Sequence, residues 1–107
     1  MSKQESEREL LELAAKAAGY EWDHWYEDSQ LAIVSGRVWN PLTDDGDALR
    51  LAVNLGLDIM TRSAYGGAYA GTENYNASSC AIDGADKCAA TRRAIVLAAA
   101  EIGRTMP

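Results

Sequence analysis

Phenylalanine is absent from this chain, histidine occurs once and cysteine twice. Without Phe, a core must be built from Leu, Ile, Val and many Ala, with bulk supplied by three Trp and five Tyr. One histidine and no C-x-x-C pair leave too few ligands for the usual four-ligand zinc arrangements, so no metal site is expected. No apolar run reaches the roughly 18 residues of a membrane span. The first ten residues, MSKQESEREL, are charged and lack the apolar stretch of a signal peptide. Cys80 and Cys88 are then read as reduced thiols, with a disulfide as the alternative. Positive charge is also scarce: 10 Lys and Arg face 16 Asp and Glu, a net charge of −6. That deficit argues against nucleic-acid and anionic-membrane binding, which need clustered Lys and Arg. It suits solubility and docking on a basic protein surface.

What is present suffices for one folded domain spanning residues 1–107. Apolar residues make up 48% of the chain, too many for wholesale disorder. Residues 2–18 predict a helix with a capping box at Ser2 and Glu5 and an apolar face at Leu10, Leu13, Ala14 and Ala17, ending at Gly19 in a left-handed position. In residues 20–39 strict alternation would send Trp22 and His24 one way and Asp23 and Trp25 the other. LAIV, residues 31–34, is a firmer strand. SGR then bends the chain toward Val38 and Trp39.

The stretch WNPLTDDGDALRLAVNLGL raises the question whether its aspartates form a site. Asn40-Pro41 forbids helix just before it. Thr43, Asp44 and Asp45 are good N-caps, and Asp47 falls where the helix dipole favours acids. A calcium loop would need a glutamate near where Leu55 and Gly56 stand. The acids are therefore read as a helix start, followed by an apolar stripe at Ala48, Leu49, Ala52, Val53 and Leu55 and a stop at Gly56. Residues 57–63 alternate as a half-buried strand. Gly66-Gly67 suggests a hairpin turn with residues 68–76 returning, and residues 77–86 read as loop. A last helix, capped by Asp83 or Asp86, runs to Gly103 with Cys88, Ile95, Ala98, Ala99 and Ile102 buried. The class is α+β: three helices cover a small, mostly antiparallel sheet in the order α-β-β-α-β-β-α, with a third strand possible in the first group.

The segments WNPLTDDGDALRLAVNLGL, AATRRAIVLAAAEIG and ELLELAAKAAG together resemble the phage ABA-sandwich domain family, small hypothetical proteins of tailed phages and prophages. The resemblance covers roughly residues 8–103. It implies an α/β/α sandwich and a phage or prophage source, and it carries no assigned activity.

Individual residues divide between chemistry and structure. His24 sits among Asp23, Glu27 and Asp28, yet no nucleophile elbow, paired-cysteine site or phosphate loop accompanies it. Cys88 near a helix start could hold a thiolate, though a packing thiol is the default. No enzyme and no cofactor are expected. Trp22, Trp25, Tyr26, Glu27, Asp28, Asp44 and Asp45 form the candidate partner-binding set, because Trp and Tyr dominate binding hot spots and exposed acids suit a basic partner. Trp39 is expected in the core. The expected role is a phage accessory protein in the bacterial host cytoplasm, an anti-CRISPR-like inhibitor that binds a host protein, such as a nucleic-acid-binding defence complex. Homo-oligomerisation is compatible with it. An alternative set, Tyr65, Tyr69, Tyr75, Arg92 and Arg93, would instead sequester a nucleotide messenger. A further alternative is a phage protein with a dispensable role.

Overall fold

The fold follows from where small residues let helices approach. The computed structural model describes residues 6–61, 67–72, 76–80 and 87–106. Helix α1 spans Glu7–Ala18, and strands β1 (Trp22–Tyr26), β2 (Leu31–Val34) and β3 (Arg37–Trp39) follow. Helix α2 (Asp45–Leu55) leads to β4 (Asp58–Met60), β5 (Gly67–Gly71) and β6 (Asn76–Cys80), and α3 (Lys87–Arg104) closes the chain. The α+β class is as expected, with three helices and antiparallel strands throughout. The strands form two three-stranded sheets, β1-β2-β3 and β4-β5-β6, where one sheet was expected.

Helix α3 is the central element, packing against α1, α2, β5 and β6. Ala90, Ala94, Ile95, Val96, Ala98, Ala99, Ala100 and Gly103 are buried, covering most of its circumference. A helix apolar nearly all round belongs in an interior. Helix α1 presents Leu10, Leu11, Ala14 and Ala15 to the core. The two helices come so close that a Cβ at Gly103 would lie 2.0 Å from the Leu13 carbonyl oxygen. Gly103 therefore lies inside α3 and does not end it. Its role is close approach, which sequence position alone does not reveal. Cys88 is exposed, because the packed part of the helix begins near Ala90, and Ile102 is only partly buried.

Several local signals shifted. The S-x-x-E pattern occurs twice near the start, and the second copy caps α1. The Ser6 Oγ accepts from the Glu9 amide at 3.2 Å, and Glu9 Oε1 accepts from the Ser6 amide at 3.2 Å. Ser2 and Glu5 lie outside the described residues. Gly19 and Gly56 end α1 and α2 with φ of 77° and 66°, and Tyr20 and Leu57 donate back to Ala15 and Ala52 as paired C-terminal caps require. On α2 the buried apolar positions are Ala48, Leu51 and Ala52, whereas Leu49 and Val53 face solvent, correcting the expected stripe. The buried arc follows i, i+3, i+4 from Ala48, so the neighbouring pair is left outside.

Strand β4 is exposed along its length, not half-buried, because it pairs only with β5 at a sheet edge. Strands β4 and β5 pair antiparallel, as the expected hairpin requires; Gly67 is a strand residue opposite Cys80, and Gly66 lies outside the described residues. Residues 77–80, expected in a loop, form β6 together with Asn76. Pairing with β5 and the adjoining α3 outweigh the low strand propensity of Asn-Ala-Ser-Ser-Cys. Ala68 and Ala70 supply the buried face of β5.

Gly103→Ala tests the helix approach. In an ordinary helix interior this change would stabilise by about 1 kcal/mol. Here the new methyl meets backbone, so urea unfolding should show a loss of about 2 kcal/mol or more. A rise in the unfolding midpoint would contradict the approach.

Candidate binding surface

The sheet β1-β2-β3 carries all three tryptophans and Tyr26, and a β-bulge decides which way those of β1 point. Trp22 pairs with Val34, but the next pair is His24 with Ile33, so Trp22 and Asp23 share one position on the partner strand. An extra residue resets the alternation. Trp22 and Trp25 thus lie on the same face, stacked with ring centroids 6.3 Å apart and planes 16° apart. His24 and Tyr26 share the opposite face, edge to face at 4.4 Å. This corrects the expected pairing of Trp22 with His24.

The inner face continues through Ala32, Val34 and Trp39, all buried. Trp39 is in the core, as expected, and takes the edge of Tyr20 at 5.6 Å. The outer face carries His24, Tyr26, Leu31, Ile33 and Val38, with Tyr26 50% and Val38 55% exposed.

Both hairpins are tied by polar groups. Ser35 and Gly36 form a two-residue turn with φ of 50° and 82°, the pattern of a type I′ turn. The Asp23 carboxylate accepts from the Gly36 amide at 2.8 Å, and Glu21 exchanges bonds with Ser35. Residues 27–30 join β1 to β2. There the Glu27 carboxylate accepts from the Trp25 indole at 3.0 Å and from the Gln30 side chain at 3.1 Å. Asp28 is exposed in the same loop. Across residues 20–39, four carboxylates (Glu21, Asp23, Glu27, Asp28) face one arginine, Arg37, a net −3 within a chain of −6. No cation of the described residues forms an ion pair with any of these four.

The acids of the α2 turn are arranged differently. Asp44 is the N-cap, its carboxylate accepting from the Asp47 amide at 2.8 Å. Asp47, only 7% exposed, accepts from the Asn40 amide at 2.9 Å and from Arg50 at 3.0 Å. The Asn40 side chain accepts from the Leu42 amide at 2.9 Å, folding the chain around buried Pro41. Arg92 reaches across from α3: its Nε donates to the Leu42 carbonyl at 2.8 Å and its Nη1 pairs with Asp45. The Arg92 side chain is 15% exposed and that of Asp45 75%. The two residues, expected in separate sites, are thus partners in one clamp.

Of the alternative ligand set, Tyr65 and Tyr75 lie outside the described residues. Tyr69 is half-buried on β5 and Arg93 is exposed beside the inward-turned Arg92. Among the described residues no group of three or more His, Cys, Asp or Glu is arranged to hold a metal ion, and no helix is long and apolar enough to cross a membrane.

One concavity was not anticipated. A groove of about 470 Å³ runs between α1 and the start of β1, lined by Glu9, Glu12, Leu13, Lys16, Tyr20 and Trp22. Its α1 wall repeats at i, i+3, i+4 and i+7, a spacing visible in the sequence once the partner wall is known. No family model matches the chain, and no curated protein or solved structure matches it.

The α2 turn predicts a ranking for single alanine variants. Asp47→Ala strands the Asn40 amide and should lower unfolding stability by about 1–3 kcal/mol. Asp44→Ala removes a cap, for about 1 kcal/mol. Asp45→Ala breaks a pair whose acid is mostly in water, for about 0.5 kcal/mol. Denaturant titrations that place Asp45→Ala as the largest loss would refute the assignment of Asp47 as the anchor.

Proposed function

We propose that this chain works by binding, and that it docks on a basic, nucleic-acid-contacting surface of a bacterial defence protein as a phage or prophage inhibitor. The observation that supports this reading is the β1–β2 hairpin, where Tyr26 is exposed beside Glu27 and Asp28 and the acids have no cation partner among the described residues. Unpaired carboxylates retain their field and steer a basic partner. Tyr26 supplies the amphipathic ring that interface centres favour. Asp44 and Asp45 contribute less in this reading, since capping and Arg92 already engage them. The resemblance to phage ABA-sandwich proteins supplies the biological setting. The chain competes with DNA for the partner's basic surface, so it needs no contact with nucleic acid itself.

Immobilised protein exposed to bacterial lysate at about 50 mM salt should retain a basic nucleic-acid-binding protein, and duplex DNA should release it. The double variant Glu27→Lys, Asp28→Lys should reduce retention at least about tenfold, a loss of roughly 1.4 kcal/mol. Retention that is indifferent to both DNA and the double variant would refute the proposal.

A further inference from the structure

We infer that the groove between α1 and β1 is a docking slot for an arginine side chain of the protein partner. The assignment rests on the reading of the chain as a binder of basic protein surfaces, and it names a second contact outside the hairpin loop. The groove floor is Leu13, Tyr20 and Trp22, and its α1 rim carries Glu9, Glu12 and Lys16. Lys16 keeps its charge while its Nζ donates to the Met106 carbonyl at 3.1 Å, so two carboxylates against one ammonium leave the lining net negative by one. What remains is an aromatic and aliphatic trough with carboxylates along one side.

That chemistry selects the occupant. A long side chain with an apolar stem and a planar cation fits: the stem lies on Leu13 and the rings, and the head meets a carboxylate. A guanidinium stacks on tryptophan or tyrosine better than an ammonium does, and it offers a fork to Glu12. Glu12 already takes a guanidinium of its own chain, with Arg8 Nε 3.5 Å away. Both members of that pair are about half exposed, at 52% and 43%, so an incoming arginine displaces a weak contact. Glu9 is less available, since its Oε1 serves the Ser6 cap. Glu12 is therefore the acceptor and Trp22 the stacking platform. The groove is also on the hairpin's own strand, because Trp22 opens β1 and the loop at residues 27–30 closes it.

The test uses N-acetyl-arginine amide titrated into the full chain while the indole N–H resonance of Trp22 is followed. Its citrulline counterpart, of the same shape without charge, and its lysine counterpart are run in parallel. Arginine should shift Trp22 saturably with low-millimolar affinity, lysine should bind more weakly, and citrulline should not bind. Glu12→Gln should weaken arginine binding about fivefold, the size of one exposed charge-assisted contact. Asp58→Asn, an exposed acid on β4, should leave it unchanged. No saturable shift, equal binding of citrulline, or equal losses in both variants would overturn the slot. Lysate capture with Glu12→Lys separates this from the functional reading. Capture that survives Glu12→Lys undiminished but fails with the Glu27, Asp28 double variant removes the slot and keeps the reading. Arginine binding at Trp22 without any captured basic protein removes the reading and keeps the slot.

Discussion

The contact between α1 and α3 at Gly103 sets the dimensions of the rest of the molecule. With no side chain at that position, the Leu13 carbonyl lies where a Cβ would be. Ala14 and Ala15 on α1, and Ala94, Ala98 and Ala99 on α3, are fully buried around the same region. Helices that meet through glycine and alanine enclose little volume, so the core does not call for phenylalanine. Dispersion contacts between tightly spaced backbones then replace the bulk of large rings. The trade is intolerance: a single methylene in such a contact has no flexible side chain to push aside.

A consequence follows for the aromatic residues. A narrow helical core has no room for three indoles, and the tryptophans collect on β1 and β3 instead. Trp39 is the one that closes the core from that side. Trp22 and Trp25 remain half-buried, held in one stack by a bulge that adds a residue between them. The sheet β1-β2-β3 thus has a packed face and an open face, and α1 leaves a groove along its edge. Rigid scaffold and exposed amphipathic rings are brought together by the same packing constraint.

Much of this was legible in the residues. The stop at Gly19, the stop at Gly56, the helix-capping role of the aspartates near Gly46 and the α+β class all follow from local chemistry acting over a few positions. What was not legible depends on partners distant in sequence. The bulge at Trp22 and Asp23 is set by the Asp23 carboxylate reaching Gly36, and no periodicity rule anticipates it. Strand β6 has a sequence that reads as loop and is recruited by β5 and α3. Gly103 looked like a helix stop because glycine serves both purposes, and only the position of Leu13 decides between them. Arg92 and Asp45 were each assigned to a different site because 47 positions separate them. The groove was invisible for another reason: its walls lie close in sequence, between Glu9 and Trp22, but only the α1 wall has a sequence pattern and the direction of the chain after Gly19 sets the other.

The distribution of cations, more than the number of acids, determines which carboxylates of this molecule keep their field. Accepting a hydrogen bond from an amide or an indole positions a carboxylate without neutralising it, whereas an ion pair cancels much of its field. On the α2 turn Asp45 faces Arg92 and Asp47 faces Arg50, so that end of the molecule is acidic in sequence and only weakly so in effect. At the end of α3 Glu101 faces Arg104, whereas within α1 Glu12 meets Arg8 only across 3.5 Å in a half-exposed pair. The hairpin acids differ. Asp23 and Glu27 are fixed by the Gly36 amide and the Trp25 indole, and those neutral donors hold the charges rigidly outward instead of quenching them. Rigid, unpaired carboxylates next to an exposed tyrosine lose little side-chain entropy on binding, so more of their attraction appears as affinity. The sheet that takes up the tryptophans therefore also carries, with its adjoining turns, four carboxylates that no cation of the described residues pairs with.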